Sequence, residues 1–190
     1  MKYVSLDLET TCVERKNPNN IIGFSFVVED SNVRGIPVDY LPHCTGLIDQ
    51  QWWEGNAFAL QMNAKYLKMI ANRKYTHLKP YHIYDKKDWV PAVLEFLKLH
   101  FGQERITVAG KNVGTFDIQF MPEVIQNMFR ARVLDIGSVY VDFNQKTLPG
   151  MSECMKLANM PTTTVTHDMY QDAKDNITVL RAKYPALSVP

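Results

Sequence analysis

The order of hydrophobic and polar positions along the chain predicts five β-strands. Residues 21–28 are almost wholly apolar, which is typical of a buried strand, and the polar stretch 29–32 that follows has the composition of a hairpin turn. We therefore expect the second and third strands to pair antiparallel. The five predicted strands occupy residues 2–8, 21–28, 33–41, 106–109 and 133–134.

Helices are predicted between and after these strands. Trp89, Val93 and Leu97 recur at helical spacing within residues 87–101. The order of three strands, then alternating helix and strand, and then helices, predicts an α/β fold with a central mixed five-stranded sheet flanked by helices. The predicted helices are centred on residues 56–72, 87–101, 115–129 and 168–183.

The composition is that of one globular domain. The chain has 190 residues, of which 46% are hydrophobic and 22% charged. These values exclude a disordered, collagen-like or coiled-coil chain. We find no internal repeat, low-complexity run or flexible linker, so the sequence predicts a single domain over residues 1–190. An extended helical and loop segment is expected at about residues 43–86.

Charge and cysteine content restrict the partners and the location. Lys and Arg number 21 against 20 Asp and Glu, so the net charge of +1 predicts no class of partner. No apolar stretch approaches the roughly 18 residues that a membrane span needs, so we expect no membrane partner. Cys12, Cys44 and Cys154 show neither a disulfide framework nor metal-ligand spacing, which favours a cytoplasmic location.

Two acidic residues lie on one face of the first predicted strand. Side chains alternate along a strand, so Asp7 and Glu9 point to the same side, about 7 Å apart at Cα. Like charges there repel each other and lose hydration if they are buried, and a hard divalent cation would compensate both effects. An alternating strand whose polar face meets water explains the same pattern without a metal.

A third acid, Asp117, follows the fourth predicted strand. A turn that contains Gly110 and Gly114 precedes it, with Thr115 as a candidate helix N-cap. The carboxyl end of a sheet strand is where α/β proteins commonly bind ligands. A favourable electrostatic position in the first turn of a helix explains Asp117 equally.

The last helix contributes His167 and Asp172. On one helix, residues five apart lie about 140° from each other, so these side chains would not share a face. They converge only if His167 lies on the loop before the helix, with Asp168 or Thr166 as the N-cap. The alternative is that His167 is an ordinary surface histidine and Asp172 a solvated acid on the helix.

Taken together, these stretches resemble the DEDDh 3′→5′ exonucleases, the DnaQ-like group that includes ribonuclease T and oligoribonuclease. The resemblance rests on Asp-Leu-Glu-Thr-Thr at residues 7–11, on residues 112–117, and on the His-x4-Asp spacing of residues 167–172. Two positions depart from the family: Cys12 replaces a common glycine, and Lys111 replaces a common histidine. Neither position is a metal ligand in the family.

The resemblance implies an RNase H-like fold. It also implies a metal-dependent enzyme that releases nucleoside 5′-monophosphates from the 3′ end of single-stranded DNA or RNA. It implies two Mg²⁺ or Mn²⁺ ions per site, and His167 as the general base that deprotonates the attacking water. Glu9 and the backbone near Thr10 would hold the terminal 3′-hydroxyl. The implied metal ligands are Asp7, Glu9, Asp117 and Asp172, and the implied substrate contacts are Thr10, Thr11, Asn112 and Phe116.

Alternatives from other functional classes stay open. A non-catalytic nucleic-acid-binding module could keep the same fold, and so could a structure-specific RNase H-like endonuclease. Residues 65–87 interleave basic and tyrosine side chains, which suits a single strand of nucleic acid but also a solvated surface. The sequence separates neither DNA from RNA nor one oligomeric state from another.

Overall fold

A computed structural model describes residues 1–13, 16–33, 35–73, 80–161 and 167–184. Six strands form one sheet in the order β4-β3-β2-β1-β5-β6. β1 pairs antiparallel with β2, and β2 antiparallel with β3, while the pairs β1–β5, β5–β6 and β3–β4 are parallel. The strands are β1 Lys2–Thr10, β2 Ile21–Asp30, β3 His43–Asp49, β4 His82–Asp85, β5 Val108–Gly110 and β6 Leu134–Asp135.

The predicted mixed sheet is confirmed, but it has six strands rather than five. The third strand was placed wrongly at residues 33–41, where the chain instead forms a 3₁₀ turn at Val38–Tyr40 with Pro37 as its N-cap. Proline has no backbone N–H to donate to a ladder. Pairing with β2 begins only at Pro42, whose carbonyl accepts the N–H of Val28 at 2.8 Å. The antiparallel pairing of β2 and β3 is confirmed, across a longer connection than the expected hairpin.

The prediction of a helical and loop segment over residues 43–86 missed two strands. β3 lies at its start, and β4 forms the outer edge of the sheet at its end. β4 has only four residues and is half-buried to exposed, so its sequence carries little apolar signal. A side chain at Gly46 would collide with the Tyr84 ring, so this glycine allows the edge strand to approach β3 closely.

Eight helices are described. The long helices predicted over residues 56–72 and 115–129 are each broken in two, the second where Pro122 precedes a new helix. The last helix agrees with its prediction to within a residue. The helices are α1 Ala57–Met62, α2 Ala64–Ala71, α3 Trp89–Phe101, α4 Asp117–Phe120, α5 Glu123–Gln126, α6 Ile136–Val139, α7 Met151–Leu157 and α8 Met169–Lys183.

The side chains on the two faces of β1 lie in different environments. Val4, Leu6 and Leu8 belong to the main hydrophobic core, which α3, α4 and α5 complete on one side of the sheet. α8 covers the other side, where it packs on β1 and β2. A side chain at Gly23 of β2 would collide with Met169, the first residue of α8. α8 therefore begins directly over the face of β1 that carries Asp7 and Glu9.

Within the described ranges, no helix has both the length and the apolar character that a membrane crossing requires.

Candidate active site at the end of the central strand

Three of the four predicted metal ligands meet where α8 crosses β1. Asp7 and Glu9 point from β1 toward the helix, and Asp172 lies in the first turn of α8. One carboxylate oxygen of each residue lies within 4.8 Å of the other two. Their sheet neighbours on β2 are small, because Asp7 pairs with Ser25 and Glu9 with Gly23. These three carboxylates can hold a metal ion.

The carboxylates occupy a site that disfavours their charge. Burial raises the pKa of Glu9 to about 8 and that of Asp172 to about 6. Burial also raises the pKa of Asp7 well above its usual value, and the negative charges of Asp117 and Asp172 raise it further. A bound cation would remove this penalty, because it compensates both the lost hydration and the repulsion.

Asp117 lies beside this group and has a second role. The parallel pairing of β1 with β5 supplies the N–H of Val4 with the carbonyl of Thr107 at 3.0 Å, but β5 ends at Gly110. The N–H of Leu8, farther along the same edge of β1, instead donates to Oδ1 of Asp117 at 3.1 Å. Burial raises the pKa of Asp117 to about 7, although backbone N–H groups lower it in part.

His167 lies on the loop immediately before α8. Asp168 is the N-cap of that helix and accepts the N–H of Gln171 at 3.0 Å, so the predicted arrangement of loop and cap is confirmed. The side chain of His167 is exposed, and its backbone has φ of +47°, in the left-handed region. This conformation is uncommon for a residue other than glycine.

Side chains from α2 and its flanks hold the loop and the end of β1, and sequence reasoning missed them. Asn63 donates to the carbonyl of Thr10 at 3.1 Å, and Tyr66 donates to the carbonyl of His167 at 3.2 Å. Lys65 lies 3.8 Å from Asp168. Tyr66 is buried, and its ring meets that of Tyr81 edge-on at 5.7 Å. The basic and tyrosine-rich composition of residues 65–87 was the one sequence feature that indicated a role for this segment.

The predicted substrate contacts occupy two kinds of position. The side chains of Thr10 and Thr11 are buried, and the hydroxyl of Thr10 donates to the carbonyl of Cys12. Asn112 is exposed with φ of +57°. The Phe116 ring packs at the edge of the main core, 5.0 Å from the ring of Phe120. Phe116 rather than Thr115 is the N-cap of α4, which corrects that expectation.

Asp135 is the N-cap residue of α6. Its Oδ1 accepts the N–H of Ser138 at 3.0 Å at the start of α6. Its Oδ2 accepts the N–H of Asn112 at 2.6 Å. Asp135 therefore fixes the turn that precedes Asp117.

The basic and aromatic segment 65–87 is only partly available to a ligand. Arg73 is paired with both Asp49 and Asp85, so its charge is neutralised within the protein. Lys68, Lys86 and Lys87 are exposed. Lys74, Tyr75, His77 and Lys79 lie outside the described residues.

The fold is similar to that of solved nucleases at low sequence identity. Cell-death related nuclease 4 (CRN-4) superposes with a TM-score of 0.62 at 14% identity, over 97% of this chain and 64% of that one. E. coli exonuclease I in complex with a 5cy-dT13 oligonucleotide gives 0.60 at 10% identity, over 97% of this chain and 41% of that one. The zinc-bound form of the E. coli ExoI–ssDNA complex gives 0.62 at 13% identity, over 100% and 41%.

No protein-family model and no curated protein matches the sequence. The chain spans about two fifths to two thirds of the length of these solved proteins. The predicted α/β fold, a central mixed sheet flanked by helices, is confirmed by this similarity.

Proposed function

We propose that the protein is a metal-dependent 3′→5′ exonuclease that degrades single-stranded nucleic acid and releases nucleoside 5′-monophosphates. One observation supports this proposal above all: Asp7, Glu9 and Asp172 converge within 4.8 Å on a sheet of the exonuclease type, with Asp117 beside them. A buried group of carboxylates carries a large electrostatic cost unless a cation offsets it. A non-catalytic module has no need of such a group.

The four carboxylates would hold two Mg²⁺ or Mn²⁺ ions, since these hard cations prefer oxygen ligands. Asp7, Glu9 and Asp172 fit this role through their mutual distances, and Asp117 through its buried position and raised pKa. Bound ions of this kind stabilise the charge that develops on the attacking and leaving oxygens during phosphodiester hydrolysis. Asp117 keeps Oδ1 on the N–H of Leu8, which leaves Oδ2 for a ligand.

His167 would act as the general base. Its loop places it at the start of α8, within one and a half helical turns of Asp172 along the chain, and its side chain is exposed to water. Imidazole is the side chain best suited to accept a proton at neutral pH. His167 then takes the proton of the attacking water and passes it to solvent.

Specificity for the 3′ end would come from the end of β1. Glu9 is the last acid of the strand and would accept a hydrogen bond from the terminal 3′-hydroxyl. Asn63 holds the carbonyl of Thr10 and so fixes the backbone that would lie beside that nucleotide. E. coli exonuclease I, whose fold is similar, is described in complexes with single-stranded DNA, which supports a single-stranded substrate.

The test is a time course with a 5′-labelled single strand, as DNA and as RNA, in Mg²⁺. We expect a ladder of single-nucleotide steps from the 3′ end, and no cleavage after EDTA is added. Asp7→Asn should abolish the ladder. Glu123→Gln, which changes an exposed acid on α5, is the matched control and should keep it.

Other products would identify the alternatives. Internal fragments without a stepwise ladder indicate an endonuclease. Binding without any cleavage in Mg²⁺ or Mn²⁺ indicates a binding module, and either result overturns the proposal.

A further inference from the structure

A basic cleft lies at the end of the sheet opposite the carboxylates. It opens where β1, β5 and β6 begin, whereas Asp7 and Glu9 lie toward the end of β1. Within the described chain, Glu104 is the one acidic residue that lines it. The cations that line this cleft are Lys2, Arg105, Arg130 and Arg132.

The backbone fixes two of these arginines side by side. Ile106 and Phe129 form an isolated parallel bridge, in which the N–H of Arg130 donates to the carbonyl of Ile106 at 2.8 Å. Arg105 and Arg130 each adjoin one of the bridged residues. Because Ile106 and Phe129 are both buried in the main core, the backbone positions of the two exposed arginines are fixed.

Neutral carbonyl groups hold three of these four cations. Nη1 of Arg105 donates to the carbonyl of Phe129 at 3.2 Å, and Nε of Arg130 donates to the carbonyl of Arg105 at 2.9 Å. Nζ of Lys2 donates to the carbonyl of His100. Among the described residues, no carboxylate forms an ion pair with any of the four cations. The carbonyl groups orient the side chains but leave their positive charge available.

This concentration of charge is local, because the whole chain carries only +1. Four unpaired cations around one cleft favour a ligand with several negative charges. The planar guanidinium groups match phosphate oxygens in particular, since they can donate two parallel hydrogen bonds to one phosphate.

We infer that this basic cleft binds the sugar–phosphate backbone of the substrate strand upstream of its 3′ end. The inference rests on the proposed function, which places the 3′ end at Glu9. Glu9 lies seven positions beyond Lys2 along β1, a distance of about 23 Å at the rise of a β-strand. At the rise of about 3.4 Å per nucleotide of a stacked strand, this distance corresponds to about seven nucleotides, and an extended strand covers it with fewer. A strand of about three nucleotides is too short to reach both places.

The experiment compares fluorescein-labelled thymidine strands of about 3 and about 30 nucleotides, bound in EDTA so that no cleavage occurs. The triple variant Arg105→Gln, Arg130→Gln, Arg132→Gln removes three cations of the cleft. The matched control is Lys98→Gln, Lys146→Gln, Lys156→Gln, which removes three exposed cations outside it. Anisotropy at several salt concentrations gives Kd and its salt dependence, and thermal melting confirms that each variant is folded.

For the long strand, we expect the triple variant to bind at least about tenfold more weakly. The slope of log K against log salt should become shallower by about 2, since each lost phosphate contact on a single strand removes about 0.7. Binding of the short strand should not change, and the lysine control should match the wild type. Arg132→Gln alone should lower the slope by about 0.7, which keeps the test valid if the triple variant does not fold.

Two results would overturn the inference. An unchanged salt slope for the long strand shows that the cleft does not contact phosphates. Equal weakening of the short and long strands shows a general electrostatic effect and no upstream contact. Failure of the proposed function looks different: the wild type then cleaves neither strand in Mg²⁺, whatever the binding data show.

Discussion

The hydroxyl of Tyr66 donates a hydrogen bond of 3.2 Å to the backbone carbonyl of His167. Tyr66 is only 1% exposed, so its ring is fixed in the protein interior. His167 has φ of +47°, a conformation that costs roughly 1–3 kcal/mol for a residue other than glycine. The hydrogen bond helps to hold this backbone in place, and through it α2 sets the direction in which the imidazole is presented.

Tyr66→Phe should therefore act on catalysis through His167. The variant keeps the ring but loses the hydroxyl, which bonds the carbonyl of His167 and also the side chain of Tyr81. Since the bond to His167 is worth about 1 kcal/mol, kcat should fall about fivefold to tenfold while KM changes little. The pH dependence of kcat should also change, because it depends on the position of the general base. Tyr184→Phe, at an exposed tyrosine beyond α8, is the control. A variant with wild-type kcat and pH profile would show that Tyr66 has only a packing role.

His167→Ala should lower turnover by about a hundredfold or more, the usual contribution of a general base. Metal binding should be nearly unchanged, because the carboxylates remain. The pH dependence of the rate, measured from about pH 5 to about pH 9, should differ between the wild type and the variant, because the variant lacks the general base. If the two profiles coincide, another group takes the proton.

Asp7→Asn should lower hydrolysis by at least about a thousandfold, because a metal ion contributes several kcal/mol to such a reaction. In the absence of metal, the same variant should be more stable than the wild type, since it removes a carboxyl group whose ionisation is disfavoured by burial and by the neighbouring carboxylates. We expect Tm to rise by about 2–4 °C, the shift that about 1 kcal/mol produces in a domain of this size. A lower metal-free Tm would contradict the assignment of Asp7 to this group.

Stability without metal should fall as pH rises. Burial raises the pKa of Glu9 to about 8, that of Asp117 to about 7 and that of Asp172 to about 6. Each group binds its proton more tightly in the folded state, so the free energy of unfolding is highest below the unfolded pKa, about 4, and falls through the folded values. Melting in EDTA should show a decline in Tm between about pH 5 and about pH 8.

Added Mg²⁺ should reduce that decline, since it stabilises the ionised carboxylates only in the folded protein. Glu9→Gln should flatten the upper part of the pH dependence, while Glu123→Gln should leave it unchanged. A metal-free Tm that rises with pH would have the wrong sign and would exclude raised pKa values at this site.

Some parts of the site could be predicted from the sequence, because they depend only on the local periodicity of a strand or helix. The alternation of side chains along β1 places Asp7 and Glu9 on one face, and helix-cap chemistry places His167 before α8. The third strand was misplaced because residues 33–41 contain an apolar alternation that Pro37 prevents from joining the sheet. β4 was missed because a short edge strand buries too little to leave a pattern.

The contacts of Asn63 and Tyr66 depend on a different kind of information. Each reaches a backbone carbonyl far along the chain, 53 positions away for Asn63 and 101 for Tyr66. Only the packing of α2 against the end of β1 and the start of α8 brings these groups together. No local pattern of hydrophobic residues encodes such a pairing.

Because β5 ends early, Asp117 has a structural role besides its proposed role as a metal ligand. Oδ1 of Asp117 takes the place of a missing strand carbonyl for the N–H of Leu8. Replacement by alanine would leave that buried N–H without an acceptor, at a cost of about 1–3 kcal/mol, whereas asparagine could still accept the bond. A loss of activity in Asp117→Ala could therefore result either from destabilisation of the fold or from loss of a metal ligand. Asp117→Asn distinguishes these two causes, because it keeps the hydrogen bond to Leu8. The end of the β5 ladder thus leaves one backbone N–H of β1 without a strand partner, and this N–H fixes the position of the Asp117 carboxylate.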